Sequence, residues 1–543
     1  MRVSRHVACS ALLLCGLAAA AAQSSAAPSS TTQPNISSYI HESWDKLSRS
    51  TTECASLTDT KVSTVPVLYL PADQRIPADV RALTKTCKVD VRKLPKAIHH
   101  QGDVVPADLK QPGLLYLPHP YVVPGGRFNE MYGWDSYFIL LGEITDGRVD
   151  LARGTVENFF YEIEHYGAIL NANRSYYLTR SQPPFLSSMV LEVYRAELKS
   201  DPVAAKKWLR EAWPYLKRDH ELWISEPHLA GTTGLARYSD LGHGPVPEMS
   251  DDSSYYVDII HWLQAHPKEA PKAYLEPAKD EAKCAAGEHC LRAEANGVQL
   301  TESFFAGDRA MRESGFDTSF RFGPYSGSTE EYAPSGLNAL LYKYERDVAF
   351  IAATLGERDE AIAWSSTAGT RLATIRRLLW NDSLGIYTDY NFRTQQQSTY
   401  AFATTFYALW AGVATQAQAQ QLRDALPEFE RKGGLLTSTH VTGVQWDAPF
   451  GWAPLNWLAV AGLERYGFDS DARRLAKEFM RSVDTGYEHD GTIREKYNVE
   501  QASSEVIVGA GYKSNVIGFG WTNGVYAKMQ ELLAPPASVT AKP

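Results

Sequence analysis

Acidic side chains set beside indoles and tight turns are the groups in this chain best placed to do chemistry. Two distant segments carry that combination, Pro124-Gly-Gly-Arg-Phe-Asn-Glu-Met-Tyr-Gly-Trp-Asp135 and Gln445-Trp-Asp-Ala-Pro-Phe-Gly-Trp-Ala-Pro454. Glycine and proline turns hold a flat apolar surface and a charged acceptor in one geometry. A sugar ring, with one apolar C–H face and a rim of hydroxyls, complements that pair of groups. Two further acids stand in informative contexts: Asp317 in Arg312-Glu-Ser-Gly-Phe-Asp-Thr-Ser-Phe-Arg321, and Glu495 in Thr492-Ile-Arg-Glu-Lys-Tyr497. Phe316 in a closed pocket would raise the pKa of Asp317 by desolvation, as a proton donor requires, and Arg321 would oppose that if close. Arg494 and Lys496 flank Glu495 and favour its charged form, which suits a base. Taken singly, each acid has an ordinary alternative, Asp317 as a cap or turn former and Glu495 as a solvated ion pair.

In order along the chain, these segments closely resemble the signature motifs of the inverting α,α-trehalase family of glycoside hydrolases (family 37). The likeness runs from about Pro124 to Val525 through at least five motifs. It implies cleavage of trehalose to one α- and one β-glucose without cofactor or metal. Inversion needs an acid and a base roughly 6.5–9.5 Å apart, with a water between them. By resemblance Asp317 is the general acid, in a Glu-Ser-Gly-Trp-Asp pattern where Phe316 replaces tryptophan. Glu495 is the general base, ahead of Gly-Phe-Gly-Trp-Thr-Asn-Gly-Val at Gly518 to Val525. The substrate-binding set it implies is Arg127, Trp134, Asp135, Asn171, Arg180, Ser181, Gln182, Glu248, Gly315 and Trp446, while Trp452 could wall the pocket or the core. Two departures stand out. Val246 replaces the arginine of a family Arg-Pro-Glu ahead of Glu248, and the lid Gly509-Ala-Gly-Tyr-Lys-Ser-Asn-Val-Ile517 lacks the family's glutamate. They motivate the rival of an inverting hydrolase of another α-glucoside. A non-catalytic sugar-binding homologue is the second alternative.

Positioning such groups calls for a large scaffold. The 543 residues, 44% hydrophobic with 13 Trp and 29 Tyr, can bury a sizeable core. A net charge of −9 argues against binding nucleic acid. Helical periodicity dominates, with segments expected at 140–164, 185–197, 204–222, 255–266, 337–355, 359–380, 404–425, 455–466, 471–483 and 523–533. Strand-like runs such as 67–70 are few and short. Many helices without a clear linker suggest an all-α closed array of hairpins, and an (α/α)6 barrel is the fold the resemblance implies. One catalytic domain is expected over 39–534, with disordered stretches at 23–38 and 535–543 and a surface excursion at 268–297. Arg2 and Arg5, the apolar run 8–17 and the small residues to Ala22 read as a cleaved signal peptide, and hence a periplasmic or secreted protein. Cys54, Cys87, Cys284 and Cys290 would then remain, with Cys54–Cys87 and Cys284–Cys290 the favoured disulfides. Trehalose is the expected small-molecule partner of a monomer, without stable membrane association.

Overall fold

Apolar residues at three- and four-residue spacing build paired helices that close into an (α/α)6 barrel. The computed structural model describes residues 35–57, 65–249, 254–278 and 293–535. It divides into compact units at 1–35 and 36–543, and everything below concerns the second. Among the described residues six helices form an inner ring: Asp135–Thr145, Leu186–Glu197, Ser335–Leu355, Tyr407–Ala411, Ala453–Arg465 and Gly520–Leu533. Each packs against the next, and Gly520–Leu533 packs back onto Asp135–Thr145, which closes the ring. Outside lie Ile36–Leu47, Val149–His165, Pro202–Trp223, Arg358–Leu378, Gln416–Phe429 and Asp469–Asp490.

Sequence explains the two layers. Ala453–Arg465 buries nearly every side chain from Ala453 to Leu463, as an element enclosed on all sides must. Asp469–Asp490 instead buries one stripe, Ala472, Leu475, Ala476, Phe479, Val483 and Tyr487, and leaves most of its charges to water. Two expected helices are each split. The run 140–164 breaks at Gly147 and the run 404–425 at Gly412, where φ of +79° and +78° turns the chain back on itself. Ile36–Leu47 and Glu302–Glu313 were not expected, and the former begins inside the stretch 23–38 read as disordered.

Between Trp223 and Ser335 the chain leaves the barrel helices. This insert, 224–334, carries Tyr255–Ala265 and Glu302–Glu313 and has its own apolar cluster of Tyr256, Ile259, Ile260, Tyr274, Phe304 and Phe305. Strands are short. Phe450–Trp452 pairs antiparallel with Lys496–Asn498, setting Trp452 opposite Lys496. Cys54 and Cys87 form a disulfide, with Cα atoms 5.3 Å apart. Cys284, Cys290 and the expected leader lie outside the described residues. No helix among the described residues is long and apolar enough to cross a membrane.

Candidate active site

The loop bearing Asp317 is shaped by how Glu302–Glu313 ends. Ser314 Oγ turns back on the Met311 carbonyl, and the Gly315 N–H donates to the Arg312 carbonyl at 3.1 Å. Gly315 takes a left-handed φ of +78°, and a Cβ there would lie 2.9 Å from the Trp134 indole. Glycine alone meets both demands. Phe316 then packs edge-on to Trp134, Trp446 and Phe402 at 5.5, 5.1 and 5.2 Å. Asp317 emerges beside this aromatic wall with 24% of its side chain exposed. Burial pushes its carboxyl up to about 7, against the pull of Arg312, 3.5 Å away, and of Arg180. Such a group holds its proton near neutrality and can donate it. Arg321, the cation expected to oppose this, is engaged elsewhere, with two nitrogens on Asp389 at 2.7 and 2.6 Å.

Glu495 is held by backbone. After Gly491 ends the helix Asp469–Asp490, Thr492 and Arg494 both bond the Asp490 carboxylate. The Glu495 N–H donates to the Val516 carbonyl at 3.0 Å, and Trp521 Nε1 donates to the Glu495 carbonyl at 3.2 Å. Of the two flanking cations, Arg494 is committed to Asp490 and Lys496 reaches the Glu495 carboxylate, at 3.3 Å.

Asp135 reports how these halves meet. It opens the inner helix Asp135–Thr145 and is buried. Burial pushes its carboxyl well above the usual range, and the charges of Glu495 and Asp317 push the same way. Trp134, next to Asp135, packs on Phe316 at 5.5 Å and at 5.6 Å on Trp521, which bonds the Glu495 carbonyl, so the three acids share one neighbourhood. Beside them Arg180 and Arg312 converge on Glu248, Arg180 in direct hydrogen bond and Arg312 at 4.0 Å. Burial raises the Glu248 carboxyl, but the two guanidiniums win and hold it below the ordinary range. Arg180 Nε and Glu248 Oε2 are buried and find no hydrogen-bond partner among the described residues. A bound polyol could use that capacity.

The other expected residues divide into two groups. Asn171 ties two turns together, accepting from the Gly133 N–H and donating to the Arg180 carbonyl through its main chain. Gln182 Oε1 accepts from the Trp134 N–H at 2.9 Å. Ser181 is locked inward by Glu313 and the Ile169 carbonyl. Trp134 and Trp446 are buried, and Trp446 stacks on Trp452 with centroids 3.8 Å apart, so these indoles form the wall behind the acids. Arg127 stands apart, exposed, with its guanidinium 4.7 Å from the Phe128 ring centre. Sequence reasoning missed Arg312, Tyr512 and Gln445, and saw Lys496 only as a neighbour of Glu495. Arg312 bonds the Tyr512 hydroxyl at 3.0 Å, which brings the lid onto the acid's cation. Position five before the acid, across a helix end, was the one available signal for Arg312.

A helical barrel that gathers three acids and two arginines against a wall of indoles, with buried polar atoms left open, defines a carbohydrate-cleaving enzyme. The trehalase family model matches residues 15–534. A probable trehalase of Eremothecium gossypii is 36% identical, over 90% of this chain and 71% of its own. A cytosolic neutral trehalase of Beauveria bassiana is 38% identical, over 75% of this chain and 57% of its own. The solved structure of neutral trehalase Nth1 from Saccharomyces cerevisiae superposes with a TM-score of 0.75 at 32% identity, over 92% of this chain and 94% of that one. The chain belongs to the trehalase family and is an enzyme of it. It spans 57% of the Beauveria relative and 71% of the Eremothecium one. The expected periplasmic or secreted location is overturned by relatives whose names place them in the cytosol.

Proposed function

We propose that this chain hydrolyses α,α-trehalose to one α- and one β-glucose by inversion, with 39–534 acting as one monomeric catalytic domain. Asp317 is the general acid and Glu495 the general base. Trp134, beside Asp135, carries the assignment, because it packs both on Phe316, next to Asp317, and on Trp521, which bonds the Glu495 carbonyl, and so supports one site for two motifs 178 positions apart. Asp317, its carboxyl pushed up to about 7, protonates the departing glycosidic oxygen. Glu495 takes a proton from a water that attacks the anomeric carbon from the opposite face. Atoms balance with water as the co-reactant. Arg180, Arg312 and Glu248 hold sugar hydroxyls, and their own pairing makes an analogue lacking one hydroxyl costly to bind.

Trehalose is favoured by the family and by the relatives' names. A different α-glucoside is favoured by Val246, buried in the insert's cluster where the family has a cation, and by Tyr512 in a lid without glutamate. A panel of trehalose, maltose, kojibiose and isomaltose separates them, and faster turnover of any but trehalose would displace the choice. Proton NMR of the first product tests the mechanism. Equal α- and β-glucose is expected at the earliest times, and two α-glucoses would contradict inversion.

A further inference from the structure

A buried amide and a buried ammonium lie between the two acids. Gln445 Nε2 donates to the main-chain carbonyl of Asp317. Its Oε1 accepts from Lys496 Nζ at 2.9 Å. The same ammonium reaches the Glu495 carboxylate at 3.3 Å. It also donates to two lid carbonyls, Tyr512 at 3.3 Å and Ser514 at 2.8 Å, and lies 5.3 Å from the centre of the Trp452 ring.

These contacts leave little slack. Lys496 has no exposed surface, so its charge is fully desolvated and must be satisfied inside the protein. An ammonium has three protons, and four oxygens share them here. Gln445 is nearly as buried, and with a donor task at one end and an acceptor task at the other its amide has one useful orientation. The strand pair Phe450–Trp452 with Lys496–Asn498 fixes Lys496 in register. The lid is tied at a third point, where the Gly509 N–H donates to the Gly443 carbonyl at 2.8 Å, two residues before Gln445.

We infer that Gln445 and Lys496 are positioning residues that brace the backbone of the acid against the carboxylate of the base, and that the brace is complete only with the lid 509–517 down. This rests on the roles proposed above for Asp317 and Glu495. An inverting site needs its two carboxyl groups held at one separation, because a small misplacement spoils both proton transfers together. The chain Asp317 carbonyl, Gln445 amide, Lys496 ammonium, Glu495 carboxylate spans that separation with hydrogen bonds. By using lid carbonyls as two of its acceptors, Lys496 links closure over substrate to the alignment of the base. Arg312, joined to both Asp317 and Tyr512, makes the matching link on the acid's side.

Gln445→Met and Lys496→Met test the brace, each measured for trehalose kinetics, urea unfolding and trypsin cleavage after Lys513, an exposed lid residue. The expected result is a fall in kcat of roughly 30-fold or more with KM within about threefold in both variants, since alignment is lost and ground-state binding is kept. Cleavage at Lys513 should quicken by about tenfold in Lys496→Met, as the lid loses the two hydrogen bonds that flank this residue, at Tyr512 and Ser514, and stay near the parent rate in Gln445→Met. A kcat within threefold of the parent in both folded variants would overturn the inference. So would a lowered urea midpoint with kcat unmoved, which describes a pair that only supports the fold. Should Lys496→Met fail to fold, Gln445→Met, which changes no charge, decides by the same kcat criterion. Near-full activity of Asp317→Asn or Glu495→Gln would instead sink the catalytic roles themselves. Loss of activity in those two beside a normal Gln445→Met sinks the brace alone.

Discussion

Replacing Asp317 with asparagine should cost activity and gain stability in the same molecule. Its carboxyl is raised from 3.8 to about 7 by burial. That is roughly 3 pKa units at 1.36 kcal/mol each, or about 4 kcal/mol of strain carried by the ionised form. With 24% of the side chain open to water, screening brings this to ~2–3 kcal/mol. The sign follows from linkage. The folded state prefers the protonated form, so the penalty is absent below the unfolded pKa, grows as pH rises from about 4 to 7, and is constant above. Asparagine never ionises and escapes it. Urea unfolding of both proteins should therefore show an advantage of the variant that widens by ~2–3 kcal/mol between pH 4 and pH 8. Turnover of trehalose should fall by about 10²–10⁴ at every pH. An offset in stability that does not change with pH would refute the raised carboxyl. Activity within about tenfold of the parent would refute the proton donor.

Glu495→Gln should likewise lose about 10²–10⁴ in kcat while its circular dichroism and urea midpoint stay near the parent's, and glucose release near the parent rate would remove it from the mechanism. Gly315→Ala must force a side chain into a left-handed turn 2.9 Å from the Trp134 indole. It should destabilise by ~1–3 kcal/mol in urea and lower kcat by displacing Asp317, and a variant with both unchanged would show that the turn does not set the acid.

The helical class was legible because the inner and outer helices wear their burial as periodicity, continuous in 453–465 and striped in 469–490. The breaks at Gly147 and Gly412 were not, since apolar spacing runs on across both and a lone glycine gives no sign of φ beforehand. Asp317 and Glu495 stood out by motif, and their closeness to Asp135 needed coordinates. Which cation serves Asp317 was beyond the sequence. Arg321 looked the natural neighbour of Asp317 but turns to Asp389, while Arg312 swings back from the preceding helix. Gln445 was hidden by being an ordinary polar residue whose partners lie far away in the chain, and Lys496, legible beside Glu495, gave no sign of its distant partners Gln445 and the lid carbonyls.

The insert 224–334 keeps an apolar cluster of its own, and lid residues Ala510 and Tyr512 pack on it. Glu495 hangs between Ile493 and Tyr497, which belong to the barrel's cluster. Phe316, one residue before Asp317, belongs to that same cluster, so both acids proposed for the reaction are anchored to the barrel, while the lid leans on the insert. Evolution or engineering can therefore reshape the insert and the lid that rests on it, trading residues such as Val246, without disturbing the apolar base that carries both acids.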